Sequence, residues 1–491
     1  MLAKILIICQ FVIIVMAMHA AEVPTNTASV PFLLNDRLGN AIRVPTNEVP
    51  SSLHPPIGIG LEQQIPVAPK GTPQSDEVRE RIVGSKTGRQ WLPSTPPVMM
   101  PYLANLDEYG NTAIQQGAVF DFEPLFPVQA GKYALSDLGL RYNLYQSLTM
   151  VSMTDVASGA GALQYYTATF LGKWAVTEVT DPGRAGWLST EANVQLGLSP
   201  ASRSQTPQAN LGTVANPLAT VSGPNGVWMS ELAWQTMLAD GKIVLVAGLV
   251  DQSNYLDANS YANSSQGQFL DSALCNSSVL PLPYNNLGLN LQYQSGERSY
   301  VMLGSGANNQ NAGRSPFEHL SFDNWSYLLE FGLTPRNFLG LGSGVYRVQP
   351  FVATVDRATQ AGLGLNAQQH LGTNSPFAWF GRFGVGGSRV TVGGAAAQVA
   401  SGFVMQAPLE YVGLFPRLSS DYAGVGFIWS RPSAVMESAV RQNEYGLEAV
   451  YSLQLTRLTS LQTDLQFIWH PAGNAAAERN IVFQLQLNVV L

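Results

Sequence analysis

Six charged residues stand out because each lies mid-way along a segment whose side chains alternate apolar and polar: Arg141, Glu231, Glu330, Arg382, Glu444 and Glu448. Arginines and carboxylates opposed across a water-filled lumen would create a transverse field that orients polar solutes. The bland reading of the same six is a salt-bridge network that stiffens a wall. Glu444 and Glu448 share a face of one extended segment, too far apart for a catalytic carboxylate pair. Enzyme chemistry finds little support elsewhere. His54, His319, His370 and His470 lack a second ligand at H-x-x-x-H spacing, so no metal site is expected. Gly342-Ser343-Gly344 is not a nucleophile elbow, and the glycine clusters at 340–344 and 384–394 lack a phosphate-loop lysine. Neither catalysis nor a cofactor is expected.

The elements that would position these charges are strands. Leu140, Tyr142, Leu144 and Leu148 alternate with Arg141, Asn143 and Ser147. Trp228, Leu232, Trp234 and Leu238 oppose Glu231 and Gln235, and Tyr327, Leu329, Phe331 and Leu333 oppose Ser326 and Glu330. Phe377, Trp379 and Phe383 oppose Arg382, while Tyr445, Leu447 and Tyr451 oppose Glu444 and Glu448. Leu461, Leu465, Phe467 and Trp469 oppose Gln462, Asp464 and Gln466. The chain closes on Phe483, Leu485, Leu487, Val489 and Leu491 alternating with Gln484, Gln486 and Asn488. Period-two alternation sends the two sets to opposite faces. Trp and Tyr near segment ends suit a lipid–water boundary.

The N-terminus gives these faces a setting. Lys4 precedes an uncharged run from Ile5 to Met18 and small residues at Ala20-Ala21, which reads as a signal peptide over residues 1–21. Cys9 lies within it, leaving Cys275 without an intrachain disulfide partner in the processed chain. Only 12% of residues are charged and 46% are hydrophobic, with a mean hydropathy of +0.05. No later stretch is apolar for the roughly 18 residues a spanning helix needs, so membrane-directed hydrophobicity would be spread over alternating strands. A formal charge of −7 and no basic stripe argue against nucleic acid as a partner.

Residues 22–110 are of another kind, with prolines recurring from Pro24 to Pro101 that interrupt helices and central strands alike. A proline-rich, largely irregular segment is expected there, acting as a linker or as a periplasmic plug or tether, with one short helix over Ser75–Lys86. Residues 111–491 would then form an all-β transmembrane antiparallel barrel. About 380 residues at roughly 22 to 26 per strand and loop give about 14 to 18 strands.

Three stretches resemble the OprB-like carbohydrate-selective porin family of bacterial outer membranes. The first is Gly248-Leu249-Val250-Asp251 with Tyr255-Leu256-Asp257-Ala258-Asn259, Tyr261-Ala262-Asn263 and Gln268-Phe269-Leu270-Asp271. The second is Asp421-Tyr422-Ala423-Gly424-Val425-Gly426 with Ser430-Arg431-Pro432-Ser433. The third is Glu444, Glu448 and Tyr451 followed by Leu461-Gln462-Thr463-Asp464-Leu465-Gln466-Phe467-Ile468 and His470-Pro471-Ala472-Gly473. The resemblance implies a barrel of about sixteen strands passing carbohydrate solutes passively, embedded in outer-membrane lipid, with a homotrimer as one expected assembly. The alternatives from the residues alone are an unselective or structural porin and a secreted soluble β-sandwich that binds carbohydrate.

The resemblance also implies that the closing strand is presented to the barrel assembly machinery. Leu491 stands where that family usually has a terminal aromatic residue. Leu491→Phe is therefore expected to speed membrane insertion, measured as the rate at which the folded, heat-modifiable gel band accumulates; an unchanged rate would contradict this.

Overall fold

The computed structural model describes the chain from residue 140 to the C-terminus, apart from short stretches between strands, the longest being 176–185 and 309–323. The expected signal peptide, the proline-rich segment with its helix over Ser75–Lys86, and residues 111–134 and 136–139 lie outside the described residues.

Sixteen strands account for most of what is described. They are β1 (Leu140–Met153), β2 (Ala162–Ala175), β3 (Gly186–Gly197), β4 (Gly226–Leu238), β5 (Ile243–Val250) and β6 (Asn286–Gly296). Then come β7 (Ser299–Ala307), β8 (Trp325–Leu333), β9 (Gly344–Val355), β10 (Ala358–His370) and β11 (Phe377–Gly386). The last are β12 (Ala395–Gln406), β13 (Tyr422–Pro432), β14 (Glu444–Thr456), β15 (Thr459–Trp469) and β16 (Arg479–Val490). Each pairs antiparallel with its neighbours in sequence, and β16 returns to β1, so the sheet is a closed barrel. The seam runs in register from Tyr145↔Val490 to Met153↔Val482. It is extended by Leu144 N donating to Leu491 O at 2.8 Å and Leu491 N donating to Leu144 O at 2.9 Å. Closure leaves no strand edge, the condition under which a sheet can stand in hydrocarbon. Among the described residues no helix is long and apolar enough to cross a membrane.

The two faces of the wall differ as the alternation predicts. On β16, Gln484 and Gln486 are fully buried while Phe483 is 48% exposed. Tyr327, Phe331, Val352, Phe403, Val425 and Tyr445 likewise show their side chains on the outside. A continuous exposed apolar belt around a closed wall contradicts the soluble-sandwich alternative, in which those faces would be core.

One strand departs from the predicted pattern. The register between β3 and β4 shifts from Glu191↔Glu231 to Ala192↔Met229, leaving Ser230 as an extra residue in a β-bulge. A bulge reverses the parity of all that precedes it. Val227 and Met229 are exposed, and Trp228 shares the inner face with its partner Asn193 instead of joining Leu232 and Trp234 outside.

Two connections fold into the barrel. Residues 198–225, between β3 and β4, carry a 3-10 turn at Ala201–Arg203 and α1 (Pro207–Leu211). Thr206 caps α1 by accepting from Ala209 N, and Gly212 ends it at φ 72. A Cβ on Gly212 would lie 2.9 Å from the Gly473 carbonyl carbon, so two backbones meet there. Residues 251–285, between β5 and β6, carry a 3-10 turn at Gln252–Asn254 and α2 (Ser272–Cys275), the latter capped by Asp271. The two segments are joined by Ala219 N to Leu270 O at 2.8 Å and Ser272 N to Asn216 O at 2.9 Å.

They are packed as well as tied. Phe269 sits 5.3 Å, centre to centre, from Phe380 on the wall and 6.2 Å from Tyr422. Leu270 joins a buried cluster with Tyr165, Leu211, Ile468 and Val482. Part of the inner wall is thus apolar, because folded-in segments need hydrophobic surface to rest on. A Cβ on Gly424 would lie 2.7 Å from Phe269 Cζ. Gly424→Val is expected to displace that ring and cost about 1–3 kcal/mol, read as a lower unfolding temperature of the detergent-solubilised barrel.

Candidate functional site

Five of the six charges chosen from the sequence have described side chains; Arg141 lies in β1 opposite Lys173, with its side chain outside the described residues. Glu231, Glu330, Arg382, Glu444 and Glu448 are all on the inner face and between 0% and 3% exposed. Each ends on one of the inward segments. Glu231 Oε1 accepts from Ser189 Oγ at 2.5 Å and from Tyr255 Oη at 2.7 Å. Glu330 Oε2 accepts from Asp257 N at 3.1 Å and Gln349 Nε2 at 2.7 Å. Its Oε1 accepts from Tyr300 Oη at 2.5 Å and lies 3.5 Å from Arg347 Nε.

On the opposite wall Glu444 Oε2 accepts from Val214 N at 2.9 Å and Ala472 N at 3.1 Å, holding the first segment and the β15–β16 connection. Glu448 accepts from Leu270 N at 2.6 Å and Asp271 N at 3.0 Å, holding the second segment. The two carboxylates share a face, as read from their spacing, yet bind different segments.

Asp257, which the sequence offers only within a family-like stretch, gathers contacts from three strands of the wall. Its φ of 60 puts it in the left-handed region, which an aspartate tolerates when local hydrogen bonds compensate. Its Oδ2 forms an ion pair with Arg382 Nε at 3.1 Å, both side chains fully buried, and accepts from Ser277 N at 2.7 Å. Its Oδ1 accepts from Asn366 Nδ2 at 2.7 Å. Its carbonyl accepts from Arg382 Nη2 at 3.0 Å and Asn366 Nδ2 at 2.8 Å. Strands β8, β10 and β11 therefore converge on one residue of the second segment. Its partners on the wall lie 73 to 125 positions away in sequence, so no local signal could have singled it out.

Neutral side chains complete the attachment. Gln398 Nε2 donates to Ala273 O at 3.0 Å, and Gln462 Nε2 donates to Gln268 O. Gln466 and Gln484 both donate to Pro217 O, at 2.9 and 2.8 Å. Several amide oxygens facing inward, among them those of Gln466, Gln484 and Gln486, have no hydrogen-bond partner. Among the described residues no group of three or more His, Cys, Asp or Glu is arranged to hold a metal ion.

In the inward segments, burial pushes the Asp271 carboxyl well above the usual carboxylate range, with the nearby charges of Glu448 and then Glu444 adding to the effect. Burial and Glu191 raise Asp251 likewise.

A closed antiparallel barrel with an apolar outer belt and connections folded into its interior is the architecture of porin-type transmembrane barrels. Residues 353–491 match the family model of the carbohydrate-selective porin, OprB family. No curated protein matches the sequence significantly. Among solved structures, the high-pH form of Pseudomonas putida OprB is 13% identical with a TM-score of 0.61, covering 77% of this chain and 100% of that one. The low-pH form of the same protein, also 13% identical, gives 0.46 over 75% of this chain and 98% of that one. A mutant Rhodopseudomonas blastica porin, 10% identical, gives 0.44 over 72% and 100%. At such identities the first of these supports the barrel fold.

Two outcomes follow from the anchors. Arg382→Leu leaves Asp257 buried without its cation and is expected to cost about 3–5 kcal/mol, with part regained on adding Asp257→Asn; thermal unfolding in detergent measures both. For pH, the raised Asp271 value means that its contribution to stability is present below the ordinary aspartate range and lost as pH rises through the folded-state value. Unfolding temperature is therefore expected to fall as pH rises above the ordinary aspartate range, and Asp271→Asn to flatten that slope.

Proposed function

We propose that this protein is a bacterial outer-membrane porin that lets carbohydrates diffuse passively down their gradient, exported by means of residues 1–21. The observation that carries the reading is the match of residues 353–491 to the carbohydrate-selective porin family, because this stretch supplies Arg382, Glu444 and Glu448, which hold the inward segments. The buried charges act on permeation indirectly, by fixing the two segments that set the aperture. Amide and hydroxyl groups on the inner face offer both donors and acceptors in place of a sugar's water shell. Flux requires each such contact to be weak, since a tight site would retain the solute.

Liposome swelling with hexoses, disaccharides, amino acids and salts of graded size tests the proposal. Sugars are expected to enter faster than other solutes of equal size. Permeation ordered by size alone would leave an unselective porin. Glu231→Ala is expected to change single-channel conductance by loosening Tyr255 while the barrel remains assembled; an unaltered conductance would remove that residue from the aperture.

A further inference from the structure

One stretch of the outer belt is indented. A cleft of about 460 Å³, formed entirely of described residues, opens on the outside of the wall across β11 to β16. It exists because two neighbouring strands carry alanine where the belt is otherwise large. Ala423 on β13 and Ala449 on β14 lie one rung apart, since Ala423 pairs with Tyr451 and Val425 pairs with Ala449. Phe403, Tyr451, Leu465 and Phe483 stand around them, and Phe403 and Phe483 are both far out in the belt, 61% and 48% exposed.

The cleft lies near one rim of the barrel. There β12 ends at Gln406 and β13 begins at Tyr422, β1 begins and β16 ends, and β6 and β7, like β14 and β15, follow each other with two residues between them. The connections that fold inward leave from the opposite rim. In a membrane barrel the short turns mark the periplasmic side. Apolar surface continues past the strand ends here, because the connection from β12 to β13 carries α3 (Pro408–Tyr411). The Tyr411 ring stands edge-on to Phe377, another side chain of the cleft, at 5.7 Å. Tyr411, Val412 and Leu414 are all more than half exposed.

A carboxylate adjoins the cleft at this rim. Tyr451 Oη, from a ring that lines the cleft, donates to Asp421 Oδ2 at 2.8 Å, and Leu409 N donates to the same oxygen at 3.2 Å. Asp421 is buried, and its Oδ1 has no hydrogen-bond partner.

The cleft is continuous with the belt that faces hydrocarbon, so its occupant comes from the bilayer. A stable contact between proteins needs about 800 Å² a side, far more than this cleft presents, whereas a single acyl chain is narrow and flexible enough to lie in it. A headgroup ammonium would supply the charged donor that Oδ1 lacks. We propose that the cleft over Ala423 and Ala449 binds an acyl chain of a phosphatidylethanolamine of the periplasmic leaflet, with the lipid's ammonium on the rim beside Asp421. The site rests on the membrane-barrel part of the porin reading and is independent of which solutes pass.

The test titrates the full-length protein in detergent with phosphatidylethanolamine and with phosphatidylglycerol of the same chains, and counts bound lipid by native mass spectrometry. One phosphatidylethanolamine per chain is expected to be held, more tightly than phosphatidylglycerol, and Asp421→Asn is expected to remove that preference. Ala423→Leu combined with Ala449→Leu fills the cleft with side chains suited to the belt and is expected to weaken binding about tenfold, the loss of about two buried methylenes. Should the double variant fail to assemble, Ala449→Leu alone carries the same expectation. Val352→Leu, elsewhere on the belt, is expected to change nothing. Equal binding by the filled variant and the wild type overturns the site, as does a wild type that holds the two lipids equally. A wild type that holds no lipid, but whose copies separate when the cleft is filled, makes the cleft a contact between copies and also overturns it. In each of these cases sugar entry into swelling liposomes decides the porin reading separately.

Discussion

A peptide N–H or C=O in hydrocarbon finds no water to bond, and each such group left unpaired costs several kcal/mol. Everything else in this molecule depends on that constraint. It forces the sheet to close, and closure is made by β16 returning to β1 along a seam that reaches the final residue. Closure divides every strand into a lipid side and an interior side, so the alternation of side chains becomes a difference between two environments. It also creates an interior of fixed girth, in which long connections can be stored only by bonding to the wall.

The interior is organised by buried charges that hold the folded-in segments. Arg382, Glu330, Glu444 and Glu448 are buried and each ends on backbone or on a partner of opposite charge. Bringing such groups out of water is costly, and the cost is offset only where their hydrogen-bonding positions are filled. Asp257 meets that condition by satisfying its carboxylate and its carbonyl from different strands at once. The result is a segment whose position is over-determined.

This arrangement explains how one wall serves two purposes. Where the segments lie against it, the inner face carries Phe380, Tyr422, Ile468 and Val482 and behaves as a packed core. Beside Gly226 an added Cβ would meet no atom of the described residues within 4 Å, and Trp228 faces inward opposite Asn193. Packing is thus unevenly distributed around the circumference, and it follows the inward segments, not the strands themselves.

The strands and their faces were legible in the sequence because period-two alternation is a local property: Gln484, Gln486 and Asn488 point inward for the same reason in any register that keeps the apolar face outside. Alternation likewise identified Glu231, Glu330, Arg382, Glu444 and Glu448 as interior residues. It could not say what they bind, because their partners on residues 251–285 and 198–225 are set by how two connections fold back, a matter of contacts far apart in the chain. It also misassigned Trp228, since a bulge is one inserted residue whose presence depends on pairing with β3 and leaves no mark in the sequence of β4. Local sequence decided which side chains of the regular strands face inward; only the closed barrel, by bringing distant residues to one interior, decided which of them hold the folded-in segments.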